Sequence, residues 1–209
     1  MTPALREMAS ADVPIVVDLH LRAFPGFFLS ALGAPFLRVY YRNVLRDGGS
    51  IALVAEDASG LEGFVVGSVD PAGFYGRLLR RRWYAFALAA VPGVLRHPSV
   101  AGRVARALRH PSESRAGVRV AGVYSLAVDP LRWGSGVGRA LVDRFCALAR
   151  ARGATQVFLE TDAEGNERVN RFYAATGFTE TGRRKTPEGR VLVDYVRVLD
   201  AGAGGPDDD

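Results

Sequence analysis

Residues 123–148 read VYSLAVDPLRWGSGVGRALVDRFCAL, and this stretch decides the fold. Val123, Leu126 and Val128, set among polar or small neighbours, predict a strand. Asp129-Pro130 stops it. Glycines then fall at every second position, Gly134, Gly136 and Gly138. Val137, Leu141, Phe145, Leu148 and Ala149 follow at helical spacing.

A strand, a glycine loop and a helix start make a cradle for phosphate. The first amides of a helix lack intrahelical partners, and the helix dipole favours an anion there. Glycine lets backbone approach that anion closely. The amides of Ser135, Gly136, Val137, Gly138 and Arg139 can form a concave nest for a pyrophosphate, with Arg139 adding charge. The spacing is neither the dinucleotide fingerprint nor a P-loop, since no G-K-[ST] follows. Taken alone, it also fits a tight strand-to-helix turn.

Upstream, Ala4–Met8 predicts a strand, and Ser10-Ala11-Asp12 starts a helix carrying Ile15, Val16, Leu19 and Ala23. Phe24-Pro25-Gly26 breaks that helix, and a second is expected over Pro35–Leu45. SIALVAE (50–56) and LEGFVVGSV (61–69) form a hairpin. Residues 71–117 hold nine arginines and one acid, Glu113, between Arg77 and Arg115, interleaved with apolar residues. Pro92-Gly93, Pro98 and Pro111 would divide them into two or three short helices. Three readings stay open for this insert: a packed helical flap, a surface for membrane or another polyanion, or a contact for an anionic acceptor.

Downstream, Gly153 is a helix C-cap, ATQVFLET (154–161) a strand and Asn166–Thr176 a helix. A closing hairpin runs from Thr179 to Val198, and it could pair across a homodimer. The tail 201–209 is expected to be disordered. The element order predicts a mixed α/β sheet with helices on both faces.

The 209 residues, 48% apolar, suit one domain over 1–200. One cysteine, no signal-peptide layout and no long apolar run predict a cytoplasmic protein. His20, His97 and His110 have no metal-ligand spacing, so no metal is expected. The net charge of +5 accords with anionic ligands, and no nucleic-acid partner is expected.

From Val123 on, LAVDP (126–130), GSGVGRAL (134–141), LETDAEGN (159–166) and NRFYAATGF (170–178) resemble the GNAT superfamily of acetyl-CoA-dependent N-acetyltransferases. The first 70 residues resemble it more loosely. The likeness implies a GNAT-like α/β (α+β) fold: a mixed central sheet, splayed, with flanking helices and here an extra helical insert. It also implies acetyl-CoA as co-substrate and an amine as acceptor. By that resemblance the backbone of Leu126, Ala127 and Val128 pairs with the pantetheine arm, and Leu126 is closest to the polarising amide. Tyr173 matches the general acid for the leaving thiolate, although it also fits a core stripe. Asn170 resembles the asparagine that bonds the cofactor arm, while Asn166 suits a helix cap. Glu160 or Tyr124 could relay the amine's proton, and Glu160 also suits a structural hydrogen bond. Phe24, Phe27, Phe28 and Leu29 are acceptor-side candidates that equally suit a core. One departure is Trp133, where the superfamily usually has Gln or Arg; Arg132 could substitute. Two other classes remain: a non-catalytic acyl-CoA-binding module, and a polyanion or membrane-surface binder using the insert.

Overall fold

The structure, a computed structural model, describes residues 3–96, 119–186 and 189–199. Seven strands form one sheet in the order β1-β2-β3-β4-β5-β7-β6. They are β1 (Ala4–Glu7), β2 (Ser50–Asp57), β3 (Gly60–Ser68), β4 (Val120–Val128), β5 (Gln156–Asp162), β6 (Thr179–Lys185) and β7 (Val191–Val198). Only β4 and β5 pair in parallel; the other neighbours are antiparallel. The helices are α1 (Val13–Ala23), α2 (Phe28–Val44), α3 (Phe74–Arg96), α4 (Val137–Ala151) and α5 (Glu167–Ala175). This is the mixed, splayed α/β sheet that the sequence predicts.

The two sheet faces bury separate cores. Ile51, Leu53, Ala55 and Val65 pack with Leu141, Val142 and Phe145 of α4 and Tyr173 of α5. Val54, Phe64 and Val66 pack with Val13, Val16 and Val17 of α1 and Leu37, Tyr40 and Tyr41 of α2. The alternation along β2 and β3 is the period-two pattern of a strand buried on both faces. Phe145 is wholly buried, and such burial stabilises by about 1.5–3 kcal/mol.

β4 breaks that alternation once. Val66 pairs with Ser125 and Gly67 with Val123, so Tyr124 is an extra residue, a β-bulge. Ala121 and Val123 face the α4 core before it, and Leu126 and Val128 after it. The bulge thus shifts the side-chain phase by one residue. The same event accounts for the three-residue step from Val123 to Leu126 in the sequence.

One expectation needs extending and one correcting. The stretch α2 is two helical pieces meeting at a kink at Gly33 (φ 85°, ψ 175°); the second is the helix expected from Pro35, and the first, from Phe28, is additional. Pro92-Gly93 does not divide the insert: α3 runs through both, with its non-helical residue at Arg82. Gly93 instead serves close packing, since a Cβ there would lie 2.6 Å from the Leu32 Cα and carbonyl oxygen of α2. Helix α3 is packed on the domain. Phe74, Leu78 and Phe86 are buried in the α1–α2 core, so excising the helix would uncover that core. The rest of the insert, with Pro98 and Pro111, and the tail 201–209 lie outside the described residues. Along α3, Trp83, Tyr84, Leu88, Val91 and Leu95 are exposed.

His20 is buried in the α1–α2 core, its ring against Phe24, Tyr41 and Phe64. Its Nδ1 lies 2.6 Å from the Tyr41 hydroxyl, and its Nε2 has no partner among the described residues. Burial pushes its pKa down to about 4. Below the ordinary histidine range the unfolded chain therefore binds the extra proton, and stability falls with pH. Between pH 7 and pH 5 this group should remove about 2 kcal/mol, a loss absent from His20→Phe; urea unfolding of both proteins at the two pH values measures it. At Gly93, alanine's helix propensity favours substitution by about 1 kcal/mol. The backbone clash with Leu32 opposes it, and Gly93→Ala should lower stability by about 1–3 kcal/mol in the same assay.

Candidate active site

The β4–β5 ladder has three rungs, Val120–Gln156, Ala121–Val157 and Gly122–Phe158, and then stops. β5 continues to pair with β7 as far as Asp162, while β4 continues with β3 as far as Val128. The two strands therefore diverge. Among the described residues, the β5-facing backbone edge of Val123–Val128 has no strand partner, the open edge that a peptide-like ligand can complete. Leu126, Ala127 and Val128 lie on it. The Val128 carbonyl is already occupied, accepting the Trp133 indole N–H at 3.1 Å.

The chain leaves this edge through a short 3₁₀ turn, Pro130–Arg132, capped by the Asp129 carboxylate on the Leu131 amide. Gly134 (φ 86°) and Gly136 (φ 89°) adopt left-handed backbone, which a side chain would strain. Gly138 has a different role. A Cβ there would sit 3.3 Å from the Phe172 ring, so it lets α4 and α5 meet. The first bond of α4 runs from the Ala140 amide to Gly136. The amides of Gly136, Val137, Gly138 and Arg139 therefore precede the helical ladder. Ser135 does not extend this run as expected, because its amide and hydroxyl both bond to the Arg132 carbonyl.

Neither arginine that the sequence offers is free at the loop. Arg132 is held by Asp57 (2.9 Å), Ser59 (2.6 Å) and Glu62 (3.0 Å) on the β2–β3 hairpin. The Arg139 guanidinium donates to the Ala175 carbonyl at the end of α5. Trp133 is about half exposed, with the Arg168 guanidinium 4.3 Å above its ring.

Tyr124 and Glu160 stand two residues beyond the last rung, one on each wall of the cleft. Tyr75 of α3 joins them, and nothing in the sequence pattern marks it. Its ring lies 5.6 Å from that of Tyr124. Burial, and then the charge of Glu160, push its pKa up to about 12. Tyr124 stacks on Phe74 at 4.5 Å, and burial raises its phenol well above the usual range. Glu160 is ion-paired with Arg184, which also reaches Asp194 at 3.6 Å.

Tyr173 is buried among Phe172, Phe178 and Tyr195, and burial alone raises its pKa. Its hydroxyl has no protein partner among the described residues, yet it is not one of the sealed orphan atoms. Asn170 donates to the Asp162 carbonyl at 3.0 Å and accepts from Tyr195 at 3.3 Å. Asn166 occupies the N-cap position of α5 without capping it. Its amide bonds Thr161 (2.6 Å) and the Asp162 carbonyl (3.3 Å) instead. Both asparagines thus bind the start of α5 to the end of β5.

Of the four acceptor-side candidates, Phe24 and Phe27 pack edge to face at 5.5 Å, and Arg190 lies 4.8 Å from the Phe27 ring. Arg190 also grips both oxygens of Asp162 at 2.7 Å. This strap ties the α1–α2 segment to β5. Phe24 and Leu29 also pack on the α1–α2 core, and Phe28 on the small cluster of Leu32 and Ala90. Among the described residues no group of three or more His, Cys, Asp or Glu could hold a metal, and no helix is long and apolar enough to cross a membrane.

Comparison with known proteins agrees with this geometry. The chain is 46% identical over 57 residues to a mycothiol acetyltransferase of Beutenbergia cavernae, a match covering 27% of this chain and 19% of that protein. The match thus spans about a fifth of the relative's length. The fold is similar to that of a GNAT-family protein from Desulfovibrio desulfuricans, with TM-score 0.63, 19% identity, and 94% and 98% of the two chains covered. It is also similar to a Salmonella typhimurium protein solved with its cofactor acetyl-CoA, with TM-score 0.56, 17% identity, and 99% of each chain covered. The model of the acetyltransferase (GNAT) family matches residues 16–178, well over half of the chain. The protein belongs to the acetyltransferase (GNAT) family.

Proposed function

We propose that residues 1–200 form a single acetyl-CoA-dependent N-acetyltransferase domain, acting in the cytoplasm on a primary amine of a small molecule, sugar or peptide. The observation that carries this reading is the end of the β4–β5 ladder at Gly122, followed by the open edge and the amides of Gly136–Arg139. Acetyl-CoA fits that edge chemically. Its pantetheine arm carries peptide-like amides, and its diphosphate suits amides at a helix start. The solved neighbour holding acetyl-CoA supports the same fit.

Reaction is direct, in a ternary complex. The Leu126 amide polarises the thioester carbonyl; one such donor contributes about 3 kcal/mol. The amine nitrogen bonds to the carbonyl carbon, and the carbon–sulfur bond breaks. Tyr173 gives its proton to the departing sulfur, and burial keeps that phenol protonated until it does so. The proton lost by the amine passes to Glu160 through water, with the hydroxyls of Tyr124 and Tyr75 as relay. Arg184 holds the Glu160 carboxylate in place. The arm of the cofactor runs past the α5 start that Asn166 and Asn170 anchor. Phe24 and Phe27, under the Arg190 strap, face the acceptor.

A second reading has one observation in its favour. The exposed stripe Trp83, Tyr84, Leu88, Val91 and Leu95 on a helix without acidic residues suits an anionic surface. The two readings are compatible, since the stripe and the cleft use different residues.

Calorimetry with coenzyme A, together with thiol release over an amine panel, tests the enzyme reading. Heat without thiol release would favour a non-catalytic acyl-CoA-binding module. Tyr173→Phe should lower turnover about a hundredfold. Its affinity for coenzyme A should stay within twofold of the parent, a separation that marks a lost proton donor.

A further inference from the structure

We propose that Arg168, held on the Trp133 indole, is the cation that meets the diphosphate of the coenzyme A thioester. The inference rests on the acetyl-CoA reading above and adds a residue outside the glycine loop.

It begins with the other arginines near the loop. Arg132 is spent on Asp57, Ser59 and Glu62. Arg139 is turned to the Ala175 carbonyl. Arg22 pairs with Asp129 at 3.1 Å. Arg168 is exposed and has no carboxylate partner among the described residues. A cation without an anion, beside amides without acceptors, is half of an ion-binding arrangement.

Position supports the same assignment. Trp133 immediately precedes Gly134, and its N–H is fixed to the Val128 carbonyl, so the indole marks the junction of open edge and loop. Arg168 stands over that ring at 4.3 Å. One turn further along α5, Phe172 touches the place where a Cβ on Gly138 would be. Residues four apart share a helix face. The Arg168–Phe172 face therefore reaches from Trp133 at the start of the glycine loop to Gly138 at its end.

The stack also suits a ligand role. A guanidinium lying over an aromatic face keeps its in-plane N–H donors free, and these match phosphate oxygens in pairs. Trp133 thus serves as a positioning residue. It orients a long side chain before the ligand arrives, which reduces the entropy lost on binding.

Titration calorimetry of wild type, Arg168→Gln, Trp133→Leu and the double variant against coenzyme A tests this, with thermal melts to confirm folding. Arg168→Gln should weaken binding about tenfold, the usual scale for a lost charged hydrogen bond. Affinity in that variant should also depend less on salt than in wild type. Trp133→Leu should show part of the same loss, and the double variant no more than Arg168→Gln alone, because both act through one contact. Dephospho-coenzyme A, which keeps the diphosphate, should show the same penalty. A folded Arg168→Gln protein with unchanged affinity overturns the inference and leaves the acetyltransferase reading standing. A penalty that disappears with dephospho-coenzyme A overturns the diphosphate assignment. Wild type that takes up no coenzyme A overturns both readings.

Discussion

Everything at the candidate site depends on two neighbouring strands separating after three rungs. A parallel ladder that continued would satisfy the backbone of Val123–Val128 and leave nothing for a ligand to pair with. Here β4 is held by β3 on one side, β5 by β7 on the other, and the gap opens between them. Phe158 lies where a Cβ on Gly122 would be, only 2.7 Å away, so the last rung is also the tightest. Beyond it, Tyr124 and Glu160 line opposite walls. An exposed strand edge is ordinarily a hazard that proteins cover; here it is the edge on which the proposed function rests.

The bulge at Tyr124 makes that arrangement compatible with two cores. It turns Tyr124 towards the α1–α2 side, where it meets Phe74 and Tyr75. It also returns Leu126 and Val128 to the α4 side. That layer of phenols, with His20 at 3% exposure beneath it, is polar chemistry in an apolar setting. Burial keeps Tyr41, Tyr124 and His20 uncharged, and uncharged hydroxyls can pass a proton without holding it. Helix α3 belongs to this layer through Phe74 and Tyr75, so the insert is part of the cleft wall as well as an elaboration of the surface.

Much of the fold was legible in the chain. The hydrophobic periods of two and of about 3.6 located β2, β3, α1 and α4, because both faces of this sheet are buried and the patterns are strong. The glycine loop and the later NRFYAATGF stretch were legible as motifs, since left-handed backbone and close helix approach require those residues. The Pro92-Gly93 pair misled, because a proline costs a helix one bond while Gly93 gains a close contact with Leu32 that no local rule anticipates. Tyr75 was equally invisible, being one of two tyrosines in an arginine-rich segment.

By itself, then, the sequence determined the elements, their order, the run of helix-start amides and the family likeness, all of which depend on residues near one another in the chain. Only the tertiary structure decided which charges remain available. Arg132 is neutralised by a hairpin some 75 positions away, Asn166 and Asn170 are turned to the end of β5, and Arg168 is left over an indole on another element. Hydrogen bonds and ion pairs reach only about 3 Å, so their partners are known once distant segments are packed together.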